Sequence, residues 1–172
     1  MVVGLGYVGL SNAVLLAQAN TVVGVDISSE RLKLINEGHL PIKDPELEHY
    51  FKLSKQNLSF SDDLKSSVQN ADYVIISTPT NYDEEASYFD TGSVESVIKE
   101  VSEINPEIMI VVRSTIPVGF IGEKRKKFNV KNLIFCPEFL REGRAFYDNL
   151  YPSRIIVGDH SRKAKIFGNL LL

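Results

Sequence analysis

The run Gly4-Leu5-Gly6-Tyr7-Val8-Gly9, with an acid at Asp26 twenty residues past the second glycine, constrains this chain more than any other feature. The pattern is G-x-G-x-x-G, and each glycine has its own task. Gly4 permits a tight turn out of a strand. Gly6 lets a pyrophosphate approach the backbone. Gly9 lets the following helix pack closely on the sheet. The helix N-terminus then offers free N–H groups and partial positive charge to phosphates. Asp26 falls at the end of the next strand, where a carboxylate accepts from both ribose hydroxyls. The motif alone is weak, but its surroundings have the order it needs. Val2-Val3 is a strand stub, residues 10–19 are apolar and Ala-rich, and Val22-Val23-Gly24-Val25 leads straight into Asp26.

The rest of the chain alternates in the same way. The patterning predicts helices at about 30–37 (capped by Ser28-Ser29 and ended by Gly38), 45–53, 93–104, 119–127 and 161–172. A further short helix follows the cap Ser61-Asp62-Asp63. It predicts short buried strands at 58–60, 73–76, 108–112, 133–135 and 155–157. A long polar loop is expected from about Thr78 to Gly92. Alternating strands and helices imply an α/β fold, a Rossmann-type doubly wound parallel sheet with helices on both faces. A chain of 172 residues is read as a single domain. The stub of a first strand and the uncapped end Leu170-Leu171-Leu172 suggest a segment of something longer.

Composition removes several classes of function. A net charge of −3 argues against a general nucleic-acid or membrane-surface binder. The basic run Lys124-Arg125-Lys126-Lys127 reads as a solvated helix face. The single cysteine permits no internal disulfide, as expected in a reducing compartment. Without a leader-like segment or a long apolar run, the chain reads as cytoplasmic. His39, His49 and His160 lack partners at metal-ligand spacing, so no metal is expected and each histidine reads as a solvated surface residue.

Ligands of a doubly wound sheet bind at the carboxyl ends of its strands. Three loops there carry chemistry: Ser77-Thr78-Pro79-Thr80-Asn81, Arg113-Ser114-Thr115-Ile116-Pro117-Val118-Gly119, and Pro137-Glu138-Phe139-Leu140-Arg141-Glu142-Gly143. The threonines suit a nicotinamide ribose or carboxamide, or an ordered water. They equally suit local turn capping. A carboxylate at Glu138 or Glu142 could act as general base or hold a ribose. It could equally stabilise a helix N-terminus.

Together with Gly4 to Leu10, Tyr88-Phe89-Asp90-Thr91 and Tyr151-Pro152-Ser153-Arg154-Ile155, these loops resemble the UDP-glucose dehydrogenase branch of the nucleotide-sugar dehydrogenases. The resemblance runs in order through nearly the whole chain, which is similar to the family's amino-terminal NAD-binding domain. It implies a four-electron oxidation with two NAD⁺, from sugar alcohol through aldehyde and cysteine thioester to carboxylate. The implied substrate is UDP-glucose and the product UDP-glucuronate, a polysaccharide precursor. It also implies that Gly4, Leu5, Gly6, Tyr7, Val8, Gly9, Asp26, Arg31, Thr80, Thr115 and Glu142 bind NAD. Glu138, Phe139, Leu140, Arg141 and Glu142 would line the sugar side. Glu138 would be the base in thioester hydrolysis, and Thr115 would help to order the catalytic water. Asp26 favours NAD over NADP. A 2′-phosphate about 4 Å from a carboxylate meets roughly 1–4 kcal/mol of repulsion per charge pair, softened by Arg31.

The chain departs from the family in what it lacks. No segment matches the family's nucleophilic cysteine motif, and Cys136 reads as a core residue. The long central helix, through which the full-length homodimer is expected to form, and the UDP-holding domain have no counterpart here. A stand-alone, non-catalytic dinucleotide-binding module or partner subunit, or the same domain of a GDP-mannose dehydrogenase, is the alternative reading. In either case this segment alone is expected to be inactive.

Overall fold

The computed structural model describes residues 1–84, 88–141 and 143–172. Its strands are short: β1 (Val2–Val3), β2 (Val22–Val25), β3 (Leu58–Ser61) and β4 (Tyr73–Ile76). A small hairpin, β5 (Asn81–Asp83) and β6 (Tyr88–Asp90), follows, then β7 (Met109–Val112) and β8 (Leu133–Phe135). The helices are α1 (Tyr7–Leu16), α2 (Ser29–Asn36), α3 (Pro45–Ser54) and α4 (Leu64–Gln69). After them come α5 (Gly92–Ile104), α6 (Phe120–Lys127), α7 (Ala145–Leu150) and α8 (Arg162–Leu170). Among these, no helix is long and apolar enough to cross a membrane.

Six strands form one parallel sheet in the order β3-β2-β1-β4-β7-β8. The chain winds outward from β1 to β3, then returns past β1 to build the other half. The reversal lies between β1 and β4, which pair through Val2↔Ile75 and Val3↔Ile76. The loops leaving these two strands must therefore diverge and open a crevice at their carboxyl ends. The Rossmann-type α/β expectation is met.

Successive side chains on a strand point to opposite faces, and the core divides accordingly. Val2, Ile75, Met109 and Val111 join one apolar cluster with Leu10 and Val14 of α1, Phe146 of α7 and Phe167 of α8. Val3, Val74, Ile76, Ile110 and Val112 join another with Val94, Ile98 and Val101 of α5 and Phe120 of α6. Helices therefore cover both faces. Burial on both faces is also why these strands read as unbroken apolar runs.

Side chains cap several helices, Ser28 and Asp63 among them as the sequence predicts. Ser28, Asp44, Asp63 and Ser161 each accept a backbone N–H at the start of α2, α3, α4 and α8. Asp44 does more. It is buried; its Oδ1 accepts from the N–H of Leu47 in α3, and its Oδ2 from the N–H of Phe146 in α7. One carboxylate thus holds the starts of two helices.

The structure corrects three expectations. The loop from Thr78 to Gly92 contains the antiparallel hairpin β5–β6, paired through Tyr82↔Phe89. Residues 155–157 are not a strand. The segment touches the sheet edge through one backbone bond, from Gly158 N–H to the Phe135 carbonyl at 2.8 Å, and its apolar side chains Ile155 and Val157 pack on the core. The basic run is not a uniformly solvated face. Lys124 is buried, lies over the Phe120 ring, and pairs with Glu95 at 3.0 Å and Glu123 at 2.6 Å. Its stem covers the inner side of α6, and its ammonium is offset by carboxylates from α5 and α6. His39, His49 and His160 are all exposed, as expected.

Candidate functional site

The glycine loop sits at the reversal point. Gly4 has φ +87°, and a Cβ there would lie 2.7 Å from the Ser77 carbonyl oxygen at the end of β4. The two diverging loops are in backbone contact, and only glycine fits between them. A Cβ on Gly9 would collide with the Gly4 carbonyl oxygen, so α1 packs directly on the turn. Gly6 is different. A Cβ there would meet no described atom within 4 Å. Gly6 is also the N-cap of α1, whose first turn has no side-chain cap and no acid. The arrangement is a bare helix N-terminus facing open space, which is what a pyrophosphate requires. Tyr7 and Val8 begin α1 at the rim, while Leu5 is buried beneath.

Asp26 lies 5% exposed at the end of β2. Its Oδ2 accepts from the Leu5 N–H at 2.7 Å and from Arg31 Nη1 at 2.9 Å, and its Oδ1 from the Ser28 N–H at 2.9 Å. The carboxylate therefore joins the glycine loop to the start of α2. Of roughly four lone-pair directions, one on Oδ1 is left open to a further donor such as a ribose hydroxyl. These residues fit a dinucleotide: open backbone for phosphate, and an oriented acceptor for ribose.

Serine hydroxyls tie the threonine loops together. Ser114 Oγ donates to the Thr78 carbonyl at 2.6 Å, and Ser93 Oγ donates to the Pro79 carbonyl at 2.7 Å. Thr80 is half-buried and Thr115 exposed at the carboxyl end of β7, both on the crevice side of the sheet. Ser93 had no functional signal in the sequence.

The third loop follows β8 and lines a small, open pocket of about 30 Å³. Glu138 and Leu140 are half-buried in its wall. Burial pushes the Glu138 carboxyl up to about 7, against an opposing pull from the Arg113 cation. Cys136 is 1% exposed in the same wall, and burial raises its thiol further, so it is the inert core residue the sequence suggests. Phe139 lies under the Arg154 guanidinium at 4.0 Å. Arg141 is turned to Asp148, which accepts from its backbone N–H, Nε and Nη2 at 2.9, 3.0 and 2.6 Å. Those bonds hold the Asp148 carboxyl down at about 2. Arg141 thus clamps the loop to α7 before it meets any ligand. Glu142, expected on both the cofactor and sugar sides, lies outside the described residues. Among the described residues no group of three or more His, Cys, Asp or Glu side chains is placed to hold a metal ion.

Comparison with known proteins decides the family. The model of the UDP-glucose/GDP-mannose dehydrogenase family, NAD binding domain, matches residues 1–171. The chain belongs to this family. NAD is accordingly its cofactor. A UDP-glucose 6-dehydrogenase of Campylobacter jejuni is 45% identical over 100% of this chain and 44% of its own length. One from Streptococcus pneumoniae is 50% identical over 91% of this chain and 40% of its own. A solved GDP-mannose dehydrogenase of Pseudomonas aeruginosa, in a ternary complex, superposes with a TM-score of 0.87 at 30% identity, covering 98% of this chain and 43% of that one. The chain spans less than half the length of these dehydrogenases.

Proposed function

We propose that this chain is the cofactor-binding part of an NAD-dependent UDP-glucose 6-dehydrogenase, which oxidises UDP-glucose to UDP-glucuronate through a cysteine thioester whose sulfur lies outside these residues. What carries the reading is the placement of Glu138. It is a carboxyl lifted to about 7 by burial, on the loop after β8, in a chain 45–50% identical to UDP-glucose 6-dehydrogenases. The lower identity to the GDP-mannose enzyme, 30%, makes GDP-mannose the second choice of substrate.

The chain's own residues divide the work. Gly6 and the first turn of α1 bind the pyrophosphate, and Asp26 orients a ribose. Arg31 lies against Asp26, where it softens but does not remove the bias against a 2′-phosphate. When bound, NAD⁺ supplies the hydride-accepting chemistry of both oxidations. Thr115 helps to order the hydrolytic water at the end of β7. Glu138 takes a proton from that water as the oxygen bonds to the thioester carbon; the carbon–sulfur bond breaks and sulfur leaves as thiolate. A base titrating near neutrality suits this task, because it is partly ionised at working pH and strong enough to take a proton.

The test is turnover by the full-length protein with NAD⁺ and either UDP-glucose or GDP-mannose. Two NADH per UDP-glucose are expected, with little from GDP-mannose. Glu138→Gln should lower turnover by roughly 10²–10⁴-fold. Full activity in that variant, or a preference for GDP-mannose, rejects the reading.

A further inference from the structure

The loop that carries Glu138 is fixed at two points. At its start, the Cys136 N–H donates to the Val112 carbonyl at 2.9 Å, which extends the β7–β8 pairing. At its far end, Asp148 of α7 accepts three bonds from Arg141: from the backbone N–H at 2.9 Å, from Nε at 3.0 Å and from Nη2 at 2.6 Å. Between these points, residues 137–140 make no backbone hydrogen bond among the described residues. An exposed ion pair by itself contributes little, and the Arg141 side chain is 63% exposed. This pair differs, because the carboxylate is only 11% exposed and takes the backbone N–H as well as the planar fork. α7 is also a firm anchor. Phe146 is fully buried, its N–H is held by Asp44 at 3.2 Å, and its ring lies 4.9 Å from that of Tyr50 in α3. Arg144, the other cation acting on Asp148, is engaged over the Tyr147 ring.

We propose that Asp148 is a positioning residue for Glu138: by holding both the backbone and the guanidinium of Arg141, it fixes the far end of the loop and so where the Glu138 carboxyl sits. The proposal rests on the reading of Glu138 as the hydrolytic base. Glu138 lies three positions before Arg141, and Glu138 and Asp148 line one pocket. The same assignment gives Arg141 to the loop rather than to the sugar. Its bonds hold the Asp148 carboxyl at about 2, so the clamp stays closed throughout the neutral range. It is therefore a fixed support and not a switch.

The experiment is a double-mutant cycle on the full-length protein, with NADH formation from UDP-glucose and NAD⁺ followed by rapid mixing. Asp148→Ala should lower kcat roughly 10–100-fold and leave the KM for NAD⁺ unchanged. The slowed step is hydrolysis, so this variant should release a burst of about two NADH per active site before slow turnover. Intact mass should then find the acyl group on the enzyme. Arg141→Ala keeps the backbone bond and should lose less, and Arg141→Lys less again. In the Glu138→Gln background, Asp148→Ala should cost less than about twofold more, because the residue it positions is already gone. An equal loss in both backgrounds, or an unchanged kcat in Asp148→Ala, overturns the proposal. A smaller active fraction with parental kinetics per active site shows a structural role alone and also overturns it. If Asp148→Ala does not fold, Arg141→Ala, altered at an exposed side chain, carries the same cycle. Glu138→Gln by itself tests the reading beneath. Parental turnover in that variant overturns both, whereas a slow Glu138→Gln beside a fully active Asp148→Ala overturns the clamp alone.

Discussion

At the scale of single residues, one methyl group separates the work of Gly4 from that of Gly6. Gly4→Ala would combine a left-handed φ with a Cβ 2.7 Å from a backbone oxygen of Ser77. Neither can relax without moving the β1–β4 junction, so the variant should lose about 2–4 kcal/mol in urea unfolding. Gly6→Ala meets open space and should unfold within about 1 kcal/mol of the parent, yet bind NADH at least tenfold more weakly. Equal losses of stability in the two variants would contradict this division. The sequence motif names both glycines without distinguishing them, because the difference lies in what stands opposite each one. Glu138 gives a second test. Its carboxyl titrates near 7 when folded and near 4.5 when unfolded. The folded state therefore binds more protons between these values, and stability falls as pH rises through them. Glu138→Gln has no such titration. It should match the parent near pH 4 and exceed it by about 2–3 kcal/mol near pH 8. Denaturation curves at both pH values check this, and a constant difference between the two proteins would refute the raised value.

At the scale of elements, legibility followed the reach of the forces involved. The strands β2, β4, β7 and β8 were legible because burial on both faces demands apolar runs. Helices α2 and α4 were legible because Ser28 and Asp63 act within three residues of themselves. Helix α7 and the hairpin β5–β6 were not. α7 is six residues long and lacks a local side-chain cap; its Phe146 N–H is met by Asp44, 102 residues earlier. No local pattern records such a partner. The site divides in the same way. Glu138 and the glycine loop were visible as motifs, whereas Asp148 and Ser93 gained roles only through tertiary contacts. The double cap makes a prediction at this scale. Asp44→Ala should remove two charge-assisted capping bonds and lower stability by roughly 2–4 kcal/mol. Asp44→Asn should keep one bond through its amide oxygen and lose about half as much. Amide hydrogen exchange should report the loss in both α3 and α7. Faster exchange confined to α3 would show that the bond to Phe146 is not energetically coupled to the first cap.

At the scale of the whole molecule, the question is which ligands these 172 residues recognise by themselves, when the dehydrogenases they match are more than twice as long. The turn proposed to hold phosphate, the acid proposed to accept from ribose, and the threonine loops all lie in this chain. The resemblance to nucleotide-sugar dehydrogenases assigns the uridine diphosphate to a separate domain. Binding to the folded state alone stabilises it by RT ln(1 + [L]/Kd), about 2.7 kcal/mol at one hundred times Kd. For a domain of this size that corresponds to a rise in melting temperature of roughly 5–10 °C. NADH should produce such a rise in the 172-residue chain. NADPH at equal concentration should produce a smaller one, because on the proposed reading its 2′-phosphate must approach the buried Asp26 carboxylate, which is paired with Arg31 at 2.9 Å. UDP-glucose should produce no rise, since on the proposed reading the Glu138 loop forms only a wall for the sugar and the nucleotide is held outside these residues. The three ligands read three parts of the molecule. An NADPH shift as large as that of NADH would remove Asp26 from the discrimination. A shift with UDP-glucose would place substrate recognition within this sheet and its loops, and would reject the proposal that the nucleotide is held outside these residues.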